Sequence, residues 1–466
     1  MSLTVLLTGE GTPIRRGNYS NMGSSTVVVG GFPRGVFLER RKRVLNELGK
    51  GAMVLPAAPV LFRAGDSQLP YRPDSELFYL TGFTEPESVL VLRGFADEAR
   101  TVLFSRPRDR RAERWSGPRV GPAHARTLVS VDDARPIGQL EDDLASLLEG
   151  ADRVFFRFGA GSQAEEGILE ALRMARTKGT RRGVGPRGVM DPGVILDELR
   201  LRKDTSEVEA IREAAAITVQ GFRAAFSKLR PGMGEWELEA DLEATFRRLG
   251  AGGPAFASIV GSGANGCVLH YIQNSRRMEA GELVLVDAGA EFRMYSGDIS
   301  RTVPVSGRFS AEQRDIYQVV ELARQEAISR IRPGVRVSHV HATTVRLLVR
   351  GLRDLGVISG DEDELIELAA HEPFFPHRTS HWLGLDTHDV GDYAQNGESR
   401  SFEVGMVLTI EPGLYFPPNQ EGGSFEGIGI RIEDDILVTE DGAEILNGGL
   451  PTEPEEVAAL VGTETE

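Results

Sequence analysis

Apolar positions in this chain switch between two periods, and the switches mark its elements. Val36 to Leu48 (VFLERRKRVLNEL) carries apolar residues at helical spacing against a charged face, so a helix is predicted there. Ala52–Pro59 is a short apolar segment ending in proline. Leu77–Phe83 (LFYLTGF) reads as a strand, as do the runs from Ser88 (SVLVL), from Thr101 (TVLF) and over Val154–Phe158, with a helix at Leu140–Leu148 between the last two. Strands alternating with helices over this half predict a small α/β domain with a mixed sheet. A stretch heavy in Gly, Arg and Pro at Gly179–Gly193 marks the boundary. Beyond it, Leu201–Leu229 reads as a long amphipathic helix starting near Thr205-Ser206-Glu207, with an acid in its first turn, and stopping at Pro231-Gly232.

A weak internal repeat follows. Leu229–Met233 (LRPGM) precedes a helix at Glu235–Leu249, and Ile331–Val335 (IRPGV) precedes one at Ser338–Leu355, so each Arg-Pro-Gly sits at the joint of a helix pair. Two helix-pair-plus-strand units suggest a pseudo-symmetric half-and-half domain with its site at the junction.

The strands of this second half end on acids. Leu283–Val286 is a continuous apolar run, expected to be buried on both faces, that delivers Asp287 to its end; Ala288-Gly289 loosens the backbone, and a second extended segment reaches Asp298 eleven residues later. Paired as an antiparallel ribbon, the two segments would point both carboxylates into one pocket. Val407–Ile410 ends on Glu411 before a Pro-Gly turn. Ile428, Ile430 and Ile432 alternate with Arg431 and Glu433. Taken singly, each acid also fits a turn or a solvated face, and Asp434-Asp435 reads as a solvated acidic turn. Seven of the eight histidines lie between His270 and His388, and His377, His381 and His388 form the densest group; His124, His339, His341 and His371 read as surface or core residues, His341 on a solvated helix face.

Composition narrows the chemistry. At 466 residues, with 41% hydrophobic and 26% charged content, two globular domains are expected, and no apolar run is long enough to span a bilayer. A formal charge of −16 argues against nucleic acid as a partner. Cys267 is the only cysteine, which excludes an intrachain disulfide and a thiolate cluster, so any metal must be held by oxygen and imidazole. Met1–Leu7 lacks the basic start of a secretory signal, which leads us to expect a cytoplasmic protein, and residues 1–34, rich in small polar residues, to expect a flexible extension. Four carboxylates with an imidazole suit Mn²⁺ and tolerate Co²⁺, Zn²⁺ or Fe²⁺. Four acids exceed the need of one divalent ion, whereas two ions about 3.5 Å apart would balance the charge and polarise a shared hydroxide.

The order Asp287, Asp298, His381, Glu411, Glu433 resembles the dinuclear site of the pita-bread metallopeptidases. More specifically, the chain is similar to the bacterial Xaa-Pro aminopeptidases (aminopeptidase P). The motifs are IVGSGANGCVLHY at Ile259–Tyr271, LVLVDAGAEFRMYSGDISRTVPV from Leu283, PFFPHRTSHWLGLDTHDVG from Pro373, MVLTIEPGLY from Met406 and GIGIRIEDDILVT from Gly427. In the amino-terminal half they are DSQLPYRPDSELFYLTGFTEPESVLVL from Asp66 and WSGPRVG from Trp115. The resemblance implies a pita-bread catalytic domain over 201–466, preceded by a smaller α/β domain over 35–200. It also implies hydrolysis of the N-terminal Xaa-Pro bond of peptides, with the prolidases (Xaa-Pro dipeptidases) and non-catalytic peptide-binding proteins of the same fold as alternatives. Asp287 would chelate one metal, Asp298 and Glu433 bridge both, and His381 and Glu411 complete the second, with Glu411 also the proton shuttle. His270, His377 and His388 match outer histidines that contact substrate and stabilise the oxyanion. Arg431 would support the site and pair with Asp66, Tyr415 lies close by, and Trp115 reaches a neighbouring subunit of a dimer or tetramer. One departure is local: Arg378-Thr379-Ser380 stands where the family usually has Gly-Leu-Ser or Gly-Thr-Ser, which puts the approach of His377 to substrate in question.

Overall fold

The computed structural model describes residues 27–97, 100–159, 164–179, 185–418 and 423–463. Two compact units emerge, residues 1–154 with 158–188, and residues 155–157 with 189–466. Of the extension expected over 1–34, residues 1–26 lie outside the described residues; Val28–Val29 and Phe32–Pro33 form a short hairpin whose Phe32 is buried.

In the first unit, helix α1 (Arg34–Leu48) leads into strand β1 (Ala52–Pro56). Strands β2 (Val89–Arg93) and β3 (Thr101–Ser105) extend it as an antiparallel meander, and β4 (Asp133–Pro136) adds in parallel to β3, so the sheet is mixed as expected. The strand expected at Leu77–Phe83 is instead a helix, Ser75–Thr81. The Asp74 carboxylate accepts the Leu77 N–H at 2.8 Å, and Gly82 closes the helix at φ 65°. All seven of its residues are buried, so no polar stripe betrays the helical period. The strand expected over Val154–Phe158 is confined to Val154–Phe155.

The second unit opens with α2 (Gly193–Leu201), where no helix was predicted, and α3 (Thr205–Lys228), the long helix expected to start near Thr205. Asp204 caps α3 by accepting the N–H groups of Ser206 and Glu207, and the Glu207 carboxylate returns a bond to the Asp204 N–H. α4 (Glu235–Arg248) packs back on α3. Strands β5 (Ile259–Ser262), β6 (Leu283–Ala288) and β7 (Ile299–Pro304) then form an antiparallel sheet in that order. A second helix pair, α5 (Ala311–Arg330) and α6 (Val337–Asp354), is followed by two ribbons. β8 (Val407–Ile410) pairs antiparallel with β11 (Asp434–Val438), and β9 (Gly413–Phe416) pairs with β10 (Ile428–Arg431). The Arg-Pro-Gly repeat thus does mark the joints of two helix pairs, each followed by strands that carry acids.

Between helices and strands runs one core, built from Phe222, Phe226, Phe246, Val284, Val286, Leu348 and Ile430 among others, while Trp382, Leu408 and Ile436 form a second cluster. Val284 and Val286 are buried on one face of β6 and Leu285 on the other, packed with Ile259 and Tyr415. That double burial is why the run lacks alternation. Gly289, just past β6, lies against the backbone of Gly297: a Cβ there would be driven into the Gly297 carbonyl oxygen. This close approach brings Asp287 and Asp298 onto one rim. Gly289→Ala should therefore lower the unfolding free energy by about 1–3 kcal/mol, read as a shifted urea midpoint at unchanged slope.

Candidate active site

β6 and β7 pair with Asp287 opposite Ser300, so Asp298 stands one residue before β7 on the same rim as Asp287. Glu411 follows β8 directly, and Glu433 sits in the two-residue break between β10 and β11. His381 is fixed to the β8 backbone, its carbonyl accepting the Thr409 N–H at 2.9 Å. All five line a cavity of about 960 Å³, together with His270, His377, His388 and Arg431. His381 Nε2 lies 3.4 Å from Asp298 Oδ2 and 4.0 Å from Glu433 Oε1. His381 Nδ1 donates to the Trp382 carbonyl at 3.1 Å, which leaves the Nε2 lone pair facing the acids.

Arg431 organises the rest. Its Nη2 donates to Asp287 Oδ2 at 2.6 Å, its Nη1 to the Tyr415 hydroxyl at 2.9 Å and its Nε to Ser300 Oγ at 2.9 Å. Ser300 Oγ in turn donates to Glu433 Oε2 at 2.7 Å. Arg431 thus holds Asp287 of its own unit. Asp66, in the first unit, is exposed in the turn between strands Phe62–Ala64 and Ser67–Gln68. Trp115, also in the first unit, is 89% exposed on the short helix Glu113–Ser116.

One guanidinium among these acids leaves them short of positive charge. Burial pushes the Asp298 carboxyl well above the usual range, and the charges of Asp287, Asp435 and Glu411 add to it. Glu433 is pushed up by burial and then by Asp298 and Asp287, and Glu411 is raised by burial to about 7. Asp287 Oδ1 is buried and has no hydrogen-bond partner among the described residues. An orphaned carboxylate oxygen, acids held above their ordinary pKa by burial and by one another, and an imidazole with its lone pair turned inward form the donor set of a hard divalent cation. Ligand atoms of Asp298, His381 and Glu433 already lie within 4.8 Å of one another. The residues fit a metal.

The outer histidines differ among themselves. His377 Nδ1 donates to the Arg378 carbonyl at 2.8 Å, and its Nε2 accepts from the Tyr415 hydroxyl at 2.8 Å. Both nitrogens are occupied, and burial holds its pKa down to about 3, with Arg431 adding to the effect. Substrate could reach this ring only if one of those bonds opened. The His388 ring lies tilted against that of His381, 4.3 Å between centroids, and partial burial lowers its pKa, with His381 and His270 adding to it. His270 and His388 are exposed on the cavity wall.

Two expectations are corrected here. His341 is not on a solvated face: it lines the cavity, its Nδ1 bonds Thr379 Oγ1 at 2.8 Å, and burial lowers its pKa to about 4. The available signal was that His341 falls one helical turn after Val337, which lines the same wall. Asp434 and Asp435 are not a solvated turn either, for both are buried inside β11. Arg301 and Arg324 more than offset the burial of Asp434 and hold its pKa down. The Asp435 carboxylate accepts the backbone N–H of Asp298 at 3.2 Å, and burial raises its pKa well above normal.

Fold and site together define a pita-bread metallohydrolase. The model of metallopeptidase family M24 matches residues 209–440, and that of the aminopeptidase P N-terminal domain matches residues 37–155. The Xaa-Pro aminopeptidase of Escherichia coli K12 is 44% identical over 429 residues, covering 91% of this chain and 97% of that protein. The structure of Pseudomonas aeruginosa aminopeptidase PepP superposes with a TM-score of 0.89 at 41% identity over 92% of this chain and 98% of that one. The zinc-substituted E. coli aminopeptidase P in complex with product also gives 0.89, at 43% identity, covering 93% and 100% respectively. The chain belongs to metallopeptidase family M24, in its aminopeptidase P branch, and requires divalent metal ions as a member of that family.

The raised carboxyls set a pH dependence for the metal-free protein. A carboxyl that binds its proton more tightly folded than unfolded contributes stability below its unfolded pKa and loses it as the pH rises through its folded pKa. For Glu411 that window runs from 4.5 to about 7. The melting temperature of chelator-treated protein should fall as pH rises through this range, and Mn²⁺ should flatten the fall. Equal slopes with and without the ion would contradict the site.

Proposed function

We propose that this protein hydrolyses the bond between the N-terminal residue of a peptide and a proline in second position, the activity named for its relatives. The observation that carries the reading is the convergence of Asp287, Asp298, His381, Glu411 and Glu433 on one cavity with Asp287 Oδ1 unpartnered. Asp287 would hold one of two divalent ions, Asp298 and Glu433 would bridge both, and His381 and Glu411 would complete the second. Mn²⁺ is the identity we favour for this oxygen-rich set, with Co²⁺, Zn²⁺ or Fe²⁺ also suited. Such ions, when bound, make water acidic enough to be a nucleophile near neutral pH and polarise the scissile carbonyl.

Proline's nitrogen carries no hydrogen in the peptide and leaves poorly unless protonated. Glu411, on the cavity wall beside the acids, would accept a proton from the attacking water and return it to that nitrogen. His270 and His388, on the cavity wall, would donate to the oxyanion, a kind of contribution worth about 3–4 kcal/mol per donor. Arg431 and Tyr415 keep Asp287 and His377 in place. The match of the first unit to an aminopeptidase P domain favours an aminopeptidase over a dipeptidase. The full ligand set argues against a non-catalytic binding protein.

Among the described residues no helix is long and apolar enough to cross a membrane, and we place the protein in the cytoplasm. We further propose a homo-oligomer, a dimer or tetramer, in which the exposed Trp115 contributes to a neighbour's substrate site.

Glu411→Ala should lower kcat on a Gly-Pro-Gly tripeptide by about 100-fold or more; near-normal turnover would remove Glu411 from the role. Chelation should abolish activity and Mn²⁺ restore it, with two ions per chain by elemental analysis. The tripeptide should be cleaved faster than Gly-Pro, and the reverse would favour a prolidase.

A further inference from the structure

The cavity has a second polar wall, set apart from the acids. Helix α6 contributes Val337, Ser338 and His341 to it, and the segment after His377 contributes Arg378 and Thr379. Arg378 is exposed, and among the described residues its guanidinium makes no hydrogen bond or ion pair. Several exposed arginines elsewhere in this unit are paired, Arg336 with Glu398, Arg346 and Arg350 with Glu362, and Arg202 with Glu403; Arg308 and Arg332 are exposed and unpaired among the described residues as well, but neither lines the cavity. The other guanidinium of the cavity, Arg431, is committed to Asp287, Ser300 and Tyr415. Arg378 is close enough to His341 that its charge helps keep that ring neutral. His341 has Nδ1 bonded to Thr379 Oγ1, and its Nε2 makes no bond among the described residues. With the Thr379 hydroxyl as donor to Nδ1, Nε2 carries the proton and is a second donor beside the guanidinium.

The position of this wall beside His377 suits it to meet a substrate running from Glu411 past that ring. Arg378 adjoins His377, whose Nδ1 lies 3.5 Å from Glu411 Oε2. If the scissile bond lies against Glu411, as proposed above, residues beyond the proline run past His377. A planar guanidinium with an N–H donor beside it matches a carboxylate. We propose that Arg378, assisted by His341, forms a carboxylate-binding subsite downstream of the scissile bond, so that the protein selects peptides bearing a negative charge at the third residue. This inference rests on the hydrolase reading. The charge has two sources, an acidic side chain or the free carboxyl terminus of a tripeptide.

Two peptide pairs separate the sources: Gly-Pro-Glu-NH₂ against Gly-Pro-Gln-NH₂, and Gly-Pro-Gly against Gly-Pro-Gly-NH₂. With the Mn²⁺-loaded full-length protein, kcat/KM should favour the charged member of at least one pair by about fivefold. Arg378→Gly should erase that preference and Arg378→Glu invert it. His341→Phe should reduce it. Dissociation constants of the same peptides on Glu411→Ala protein, with and without Arg378→Gly, give a readout independent of turnover. Equal affinities within both pairs, or a preference that survives Arg378→Gly, would overturn the subsite. A preference in binding without hydrolysis by the unsubstituted protein would sink the peptidase reading and leave the subsite standing.

Discussion

Four acids and one guanidinium share a cavity in which Asp287, Asp298, Glu433 and Arg431 are buried, and the charge does not balance. Arg431 neutralises Asp287 directly and reaches Glu433 through the Ser300 hydroxyl, but it bonds no oxygen of Asp298 or Glu411. Those two carboxyls are forced upward in pKa by burial, and Asp298 by its neighbours as well. Unpaired buried charge costs several kcal/mol per group unless it is protonated or met by a cation. The protein keeps the acids together by distributing their backbones over separate, well-packed strands. The site is destabilised within a unit that is stable around it.

The layer behind the acids is ionic too, but balanced. Asp434 receives Arg301 and Arg324 and the Asn447 amide, so two cations face it. Arg301 also donates to the backbone carbonyl of Glu433, which ties this layer to a residue of the site. Asp435 accepts the Asp298 N–H and so fixes a second acid of the site. Buried ion pairs contribute little net stability compared with apolar packing. Their effect here is geometric, because a directional bond holds a backbone group to tenths of an ångström where apolar contact does not. The pKa values of the neighbouring acids Glu433 and Asp434 therefore shift in opposite directions for a visible reason: one faces other acids, its neighbour faces arginines.

A comparable division separates the histidines. His381 has one nitrogen tied to a carbonyl and the other turned to the acids. His377 has both nitrogens tied, one of them through Tyr415 to Arg431. His341 has one tied to Thr379. A bond from a ring nitrogen to a carbonyl selects the tautomer of His381 and His377, whereas the Thr379 hydroxyl serves either tautomer of His341, and the tautomer decides whether a ring can act as ligand, spacer or donor.

Much of this was legible in the chain. The continuous apolar run before Asp287, the apolar strand before Glu411 and the alternation through Glu433 mark strands that end on acids, since burial of the strand is written in its own side chains. The helix pairs were legible from Arg-Pro-Gly stops, and the mixed sheet from its strand runs. The helix Ser75–Thr81 was misread because it is buried on every side and so shows no period. Other features were beyond any local pattern. Asp434 is charged inside the protein because Arg301 and Arg324, over a hundred positions away, meet it there. His341 faces the cavity because Thr379 holds it, and Arg431 lies on Asp287 because β9 and β10 pair in the register that puts Gly413 opposite Arg431. Sequence determines which segments must be buried and where their acids fall. Only the folded chain decides which distant charge each acid meets, because that depends on strand register and packing angle, which no single segment encodes.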